Sequence, residues 1–124
     1  MLHSYHSDLT SLSLTQELHQ RVFDSIHNDC TPSLQAHLEC CHFGIAPDYK
    51  GVNTLCIIAP DRTLAQELLR DRAILLETIA NRAVGIMQTA ICFVPFKHYD
   101  PKLWEDRNSY LFKFLVGHVF SNPS

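Results

Sequence analysis

Thr54-Leu55-Cys56-Ile57-Ile58-Ala59-Pro60-Asp61-Arg62-Thr63-Leu64-Ala65-Gln66-Glu67-Leu68-Leu69 reads as a buried strand, a tight corner and the first turns of a helix. Leu55 to Ala59 is a short continuous apolar run, the pattern of a strand covered on both faces. Pro60 has no amide hydrogen for a ladder and ends the strand. Asp61 can accept from the free amides of the next turn as a helix N-cap. Nothing in the stretch itself demands a catalytic acid at Asp61, since capping accounts for the carboxylate.

Working back from this corner, His42 to Ala46 can form a preceding strand. Pro47-Asp48-Tyr49-Lys50-Gly51 carries turn chemistry, with Gly51 free to take a positive φ, so an antiparallel hairpin is expected. Thr31-Pro32 starts a short helix, with a capping hydroxyl followed by a first-turn proline; Leu34 and Leu38 mark its buried face, and it should end near Cys41. Leu14, Leu18, Val22 and Ile26, with Phe23 beside them, form the apolar stripe of a helix over about 14–28. Ser13 and Gln16 fit its capping box. Residues 1–12 are polar and aperiodic and read as a terminal arm.

Working forward, Leu64, Leu68, Leu75, Leu76, Ile79 and Ala83 keep a helical period, interrupted by Arg70-Asp71-Arg72. Either the apolar face drifts there or the helix bends. Thr89 to Val94 reads as a third strand, with Thr89, Ile91 and Phe93 on one face. Asp100-Pro101 opens a short helix carrying Leu103 and Trp104. Tyr110 to Val116 reads as a closing helix or as an added strand. The division is an arm over 1–12, an α+β domain over 13–94, and an aromatic extension over 95–124. The expected order is α-α-β-β-α-β followed by the helical or extended tail.

With 124 residues, 46% hydrophobic and 19% charged, one globular domain with a real core is expected. A net charge of −3 argues against broad electrostatic capture of nucleic acid or anionic membrane. No run approaches the roughly 18 apolar residues of a membrane span. The start of the chain lacks a signal-peptide pattern, so a cytoplasmic location and reduced thiols are expected for the five cysteines.

Three blocks resemble the N-terminal, KH-like domain of the bacterial replication initiator DnaA: Glu17-Leu18-His19-Gln20-Arg21-Val22-Phe23 in its first helix, Thr31-Pro32-Ser33-Leu34 at the start of its second, and Leu55 to Asp61 followed by Leu64-Ala65 at its strand, corner and long helix. The plan is also similar to that of the tau C-terminal domain and of DciA-type proteins. The resemblance covers about 14–94. It departs where the family often has tryptophan and this chain has His19, and the extension has no counterpart. The resemblance implies a small KH-like α+β fold and a non-enzymatic protein-interaction role. It implies an adaptor or regulator in DNA replication, with the replicative helicase or another replisome component as partner.

Three constellations bear on function. Trp104, Tyr110, Phe112 and Phe114 either cover the open sheet face or anchor a partner or a second copy of the chain. Arg62, Arg70, Arg72 and Arg82 would form the basic strip of a nucleic-acid-binding KH-like module. However, Glu67, Asp71 and Glu77 interleave with them, and the Gly-x-x-Gly clamp is missing. Cys30, His37 and Cys41 carry metal-ligand chemistry, with His37 and Cys41 one helical turn apart. The alternative for them is a buried thiol and exposed imidazoles. A thiol nucleophile would need a lowered pKa and an orienting partner. No phosphate-loop or dinucleotide motif is present, and no cofactor is expected.

Overall fold

A computed structural model describes residues 17–83, 85–93 and 116–123. The expected capping box at Ser13 and Gln16, the short helix from Pro101, and the aromatics Trp104, Tyr110, Phe112 and Phe114 lie outside these residues. The first helix, α1, is described over 17–28. It is followed by α2 (Pro32–Glu39), β1 (His42–Pro47), β2 (Asn53–Ala59), α3 (Arg62–Arg70), α4 (Arg72–Arg82), β3 (Gln88–Phe93) and β4 (Val116–Ser121). The fold is a small mixed α+β domain. Two features differ from the expected order. The long helix is two helices, and a fourth strand comes from the C-terminal extension.

The local chemistry forms these elements where the sequence places them. Thr31 caps α2, its Oγ1 accepting from Leu34 N at 3.3 Å, and Pro32 follows at the first helical turn. Asp61 caps α3, Oδ1 accepting from Leu64 N at 2.8 Å. In the β1–β2 hairpin, Asp48 Oδ1 accepts from Lys50 N at 2.8 Å and from Val52 N at 2.9 Å. Gly51 takes φ +84°, which a side chain would resist. The break between α3 and α4 is the single residue Asp71, at φ −99°, ψ 18°. Leu68, Leu75 and Ile79, at i, i+7 and i+11, keep one apolar stripe across the break and are all fully buried.

The sheet order is β1-β2-β3-β4. β1 and β2 are antiparallel, β2 and β3 are parallel across the α3–α4 crossover, and β3 and β4 are antiparallel. The register lays out cross-sheet rows. Phe43–Ile57–Ile91–His118 and Ile45–Leu55–Thr89–Phe120 face the helices, while Gly44–Cys56–Ala90–Val119 lies on the other face. Leu55, Ile57 and Ile91 join Phe23, Ile26, Leu34, Leu38, Leu68, Leu75 and Ile79 in one cluster, with Phe43, Ile45 and Phe120 at its margin. Ile58, on the face away from that cluster, is only 3% exposed, so β2 is buried on both faces as its continuous apolar run predicts.

The far end of β4 is tied down by Asn122. Its Oδ1 accepts from the buried Thr89 hydroxyl at 2.7 Å, its Nδ2 donates to Ile86 O at 3.0 Å, and its amide donates to Met87 O at 2.8 Å. These bonds satisfy a buried hydroxyl that would otherwise cost free energy. They also fix the turn that feeds β3.

Candidate functional site: a groove between the third helix and the last two strands

Arg62, Ala65, Gln66 and Leu69 stand at i, i+3, i+4 and i+7 on α3 and so share one face. Opposite them lie Ile91 and Phe93 of β3 and Gly117 and His118 of β4. Together they line a half-open groove of about 360 Å³, near the lower end of the roughly 300–1,000 Å³ of ligand pockets. Its floor is apolar: Ala65 and Ile91 are buried, and Leu69 and Phe93 are half-buried. Its rim is Arg62, Gln66 and His118, all exposed. Among the described residues these three side chains make no hydrogen bond or ion pair. Its β3 residues, Ile91 and Phe93, lie in the carboxyl half of that strand.

A second, more open hollow of about 400 Å³ is lined by Arg21, Asp24, Ser25, Asn28 and Asp29 and by Arg82 of α4. Its charges are largely answered. Gln20 Nε2 donates to Asp24 Oδ1 at 2.9 Å, and Arg82 Nη2 reaches Asp29 Oδ1 at 3.2 Å. The hydrogen bond from Arg82, and then its charge, hold the Asp29 carboxyl below the usual carboxylate value.

The four arginines do not form a free basic strip. Arg70 is ion-paired with Glu67. Arg72 donates to Leu69 O at 2.8 Å and lies 5.7 Å from the centre of the Phe120 ring. Arg82 is held by Asp29. Only Arg62 stands unengaged, and it faces the groove.

Cys30, His37 and Cys41 are not brought together as ligands. Cys30 is buried in the core cluster, where burial raises its thiol pKa. The Cys41 thiol donates to the backbone carbonyl of His37 at 3.3 Å, and burial above all pushes its pKa up to about 12. His37 Nδ1 is buried without a partner. Among the described residues, no group of three His, Cys, Asp or Glu side chains could hold a metal ion. Burial also raises the thiols of Cys56 and Cys92, the latter to about 11. These thiols are therefore poor sources of thiolate at neutral pH.

The sequence reading missed the groove. Arg62-x-x-Ala65-Gln66-x-x-Leu69 is a recognisable amphipathic face, but its partners Ile91 and His118 become neighbours only through the β3–β4 register. A period-two pattern at His118 and Phe120 was the available signal for β4, and it is short. Among the described residues no helix is long and apolar enough to cross a membrane. Comparison of the chain with family models, curated proteins and solved structures finds no match.

Proposed function

We propose that this chain is a non-enzymatic protein-interaction module and that the groove between α3, β3 and β4 is its docking face. The observation that carries the reading is the groove itself, an apolar floor of Ala65, Leu69, Ile91 and Phe93 with an unengaged polar rim. Such a surface suits an apolar anchor ringed by polar contacts, the usual anatomy of a protein interface. The raised thiols weigh against cysteine catalysis. A nucleic-acid-binding KH-like role is weakened by the α3–α4 junction. It is Arg70-Asp71-Arg72, with no glycine to bring backbone amides against a phosphate and with both arginines engaged.

The partner class follows from the resemblance. The three blocks similar to the initiator's N-terminal domain fall on α1, on the start of α2 and on the β2–α3 corner, in the same order. They support an adaptor or regulator of DNA replication that docks to the replicative helicase or another replisome component.

The test is sedimentation velocity of the purified chain mixed with the purified replicative helicase of the same organism. Co-sedimentation that is weakened about tenfold by Gln66→Trp, which fills the groove mouth from an exposed position, supports the reading. A complex indifferent to Gln66→Trp removes the groove as the docking face. Absence of a complex removes the helicase as partner. Steeply salt-dependent binding to single-stranded DNA would instead favour the KH-like alternative.

A further inference from the structure

We infer that the docking groove selects an acidic, extended segment of its partner: one that adds along β4, sets an apolar side chain on the groove floor and places a carboxylate on Arg62. The inference rests on the docking reading above and names the chemistry of the partner. Three observations carry it.

The first is charge. The chain has 13 acidic and 10 basic residues, yet among the described residues no carboxylate lines the groove, whose lining includes Arg62 and His118. The hollow that includes Arg21 and Arg82 shows the ordinary arrangement, with Asp24 and Asp29 beside the arginines. The two acids closest in sequence to Arg62 on this helix are committed elsewhere. Asp61 is the cap of α3, its Oδ1 accepting from Leu64 N. Glu67 is paired with Arg70. Among the described residues Arg62 is therefore a cation without an anion, beside an apolar floor where a charge-assisted, two-pronged bond to carboxylate is favoured.

The second is the edge. Among the described residues β4 is the outermost strand, and its sequence Val116-Gly117-His118-Val119-Phe120-Ser121 holds no Lys, Glu, Asp or Pro. Edges left in this state accept another strand, and natural proteins normally blunt them. The opposite edge, β1, ends on Pro47. In strand addition the main chain supplies affinity and pockets for alternate side chains supply selectivity.

The third is register. Gly117 and His118 are both at the groove and on the edge strand. A segment pairing with β4 would thus extend the helix-facing row that ends at His118, bringing its own helix-facing side chains next to the groove.

The experiment is an NMR titration of the full ¹⁵N-labelled chain with the capped peptide acetyl-Glu-Val-Asp-Phe-Glu-Val-amide, against its neutral counterpart acetyl-Gln-Val-Asn-Phe-Gln-Val-amide. The expected result is binding of the acidic peptide roughly tenfold tighter than the neutral one. Shifts should centre on Gly117, His118 and Val119, and hydrogen exchange of the β4 amides should slow. Arg62→Gln should abolish the difference between the peptides, and the spectrum of the free variant should remain native because Arg62 is exposed and unengaged.

Equal affinities, shifts away from β4, or no binding of either peptide overturn the inference. So does protection of β4 that rises with protein concentration alone, since a second copy then occupies the edge. Peptide selectivity without helicase binding leaves this inference standing and removes the helicase. Helicase binding that is sensitive to Gln66→Trp but unchanged by Arg62→Gln, with no peptide selectivity, does the reverse.

Discussion

Phe43 and His118 stand at the two ends of one cross-sheet row, both on the face that carries the helices. At the first end the row is closed. Phe43 stacks on Phe23 of α1 with ring centroids 3.8 Å apart and planes within 5°. At the other end the row is open. His118 is exposed beside a groove, and its neighbour Phe120 is half-buried with the Arg72 guanidinium over its ring. The difference is one of helix supply. α1 and α2 bring Phe23, Ile26, Leu34 and Leu38 into the core, whereas among the described residues the groove beside β3 and β4 has only α3 on its other side. Among the described residues this leaves one margin of the four-stranded sheet thinly covered.

The sharpest way to break the comparison is to truncate its two ends. Phe23→Ala should cost about 3 kcal/mol, because it removes a buried aromatic ring and leaves a cavity against Phe43. Phe120→Ala at the open end should cost roughly 1 kcal/mol, its ring being only partly withdrawn from water. Urea unfolding of the two variants measures both. Equal losses would mean that the two margins are packed alike.

Gly117→Ala is next in size. A Cβ there would meet the Ile91 carbonyl oxygen and would stand 2.7 Å from Cys92 Cα, both of them backbone atoms that cannot swing aside. Overpacking of this kind costs about 2 kcal/mol. It should act locally, so amide exchange should quicken in β4 while β1 and β2 keep their protection. Uniform loss of protection would show β4 to be inseparable from the closed side.

Asp61→Ala tests the helix that borders the groove. Loss of its bond to Leu64 N should cost about 1 kcal/mol, read as a shift in the denaturant midpoint. Asp61→Asn, which keeps an acceptor, should recover most of it.

A pH dependence is expected near the closed margin, confined to alkaline solution. The Cys41 thiol, pushed up to about 12 from 9.0 chiefly by burial, ionises more readily in the unfolded chain than in the folded one. Its contribution to stability is fully present below pH 9 and is lost as pH rises from 9 toward 12. Cys41→Ala should flatten that part of the alkaline melting curve. Iodoacetamide should modify exposed Cys40 well before Cys41 in the native chain.

The parts of the fold that rest on near neighbours in the chain were legible in the sequence. Thr31-Pro32 and Asp61 announced two helix starts, Asp48 to Gly51 announced a hairpin, and the run Leu55 to Ala59 announced a central strand. Each is a case in which a residue's own backbone limits, or a bond spanning about three residues, decides the local shape. The helix break was legible as an interruption at Arg70-Asp71-Arg72. Whether it would be a drift or a bend depended on where the sheet would sit. The candidate site was hardly legible. Four of its residues come from one helix face, but the other four come from strands separated by more than twenty residues of chain.

By itself, then, the sequence determined the α+β class, the caps, the turns and the doubly buried strand, because these follow from local bonding and from the period of apolar side chains. Only the tertiary structure decided that Val116–Ser121 joins the sheet, that three of the four arginines are spent on internal partners, and that Arg62 is left facing an apolar groove. Those outcomes depend on strand register and helix placement, which bring together residues that have no relation along the chain.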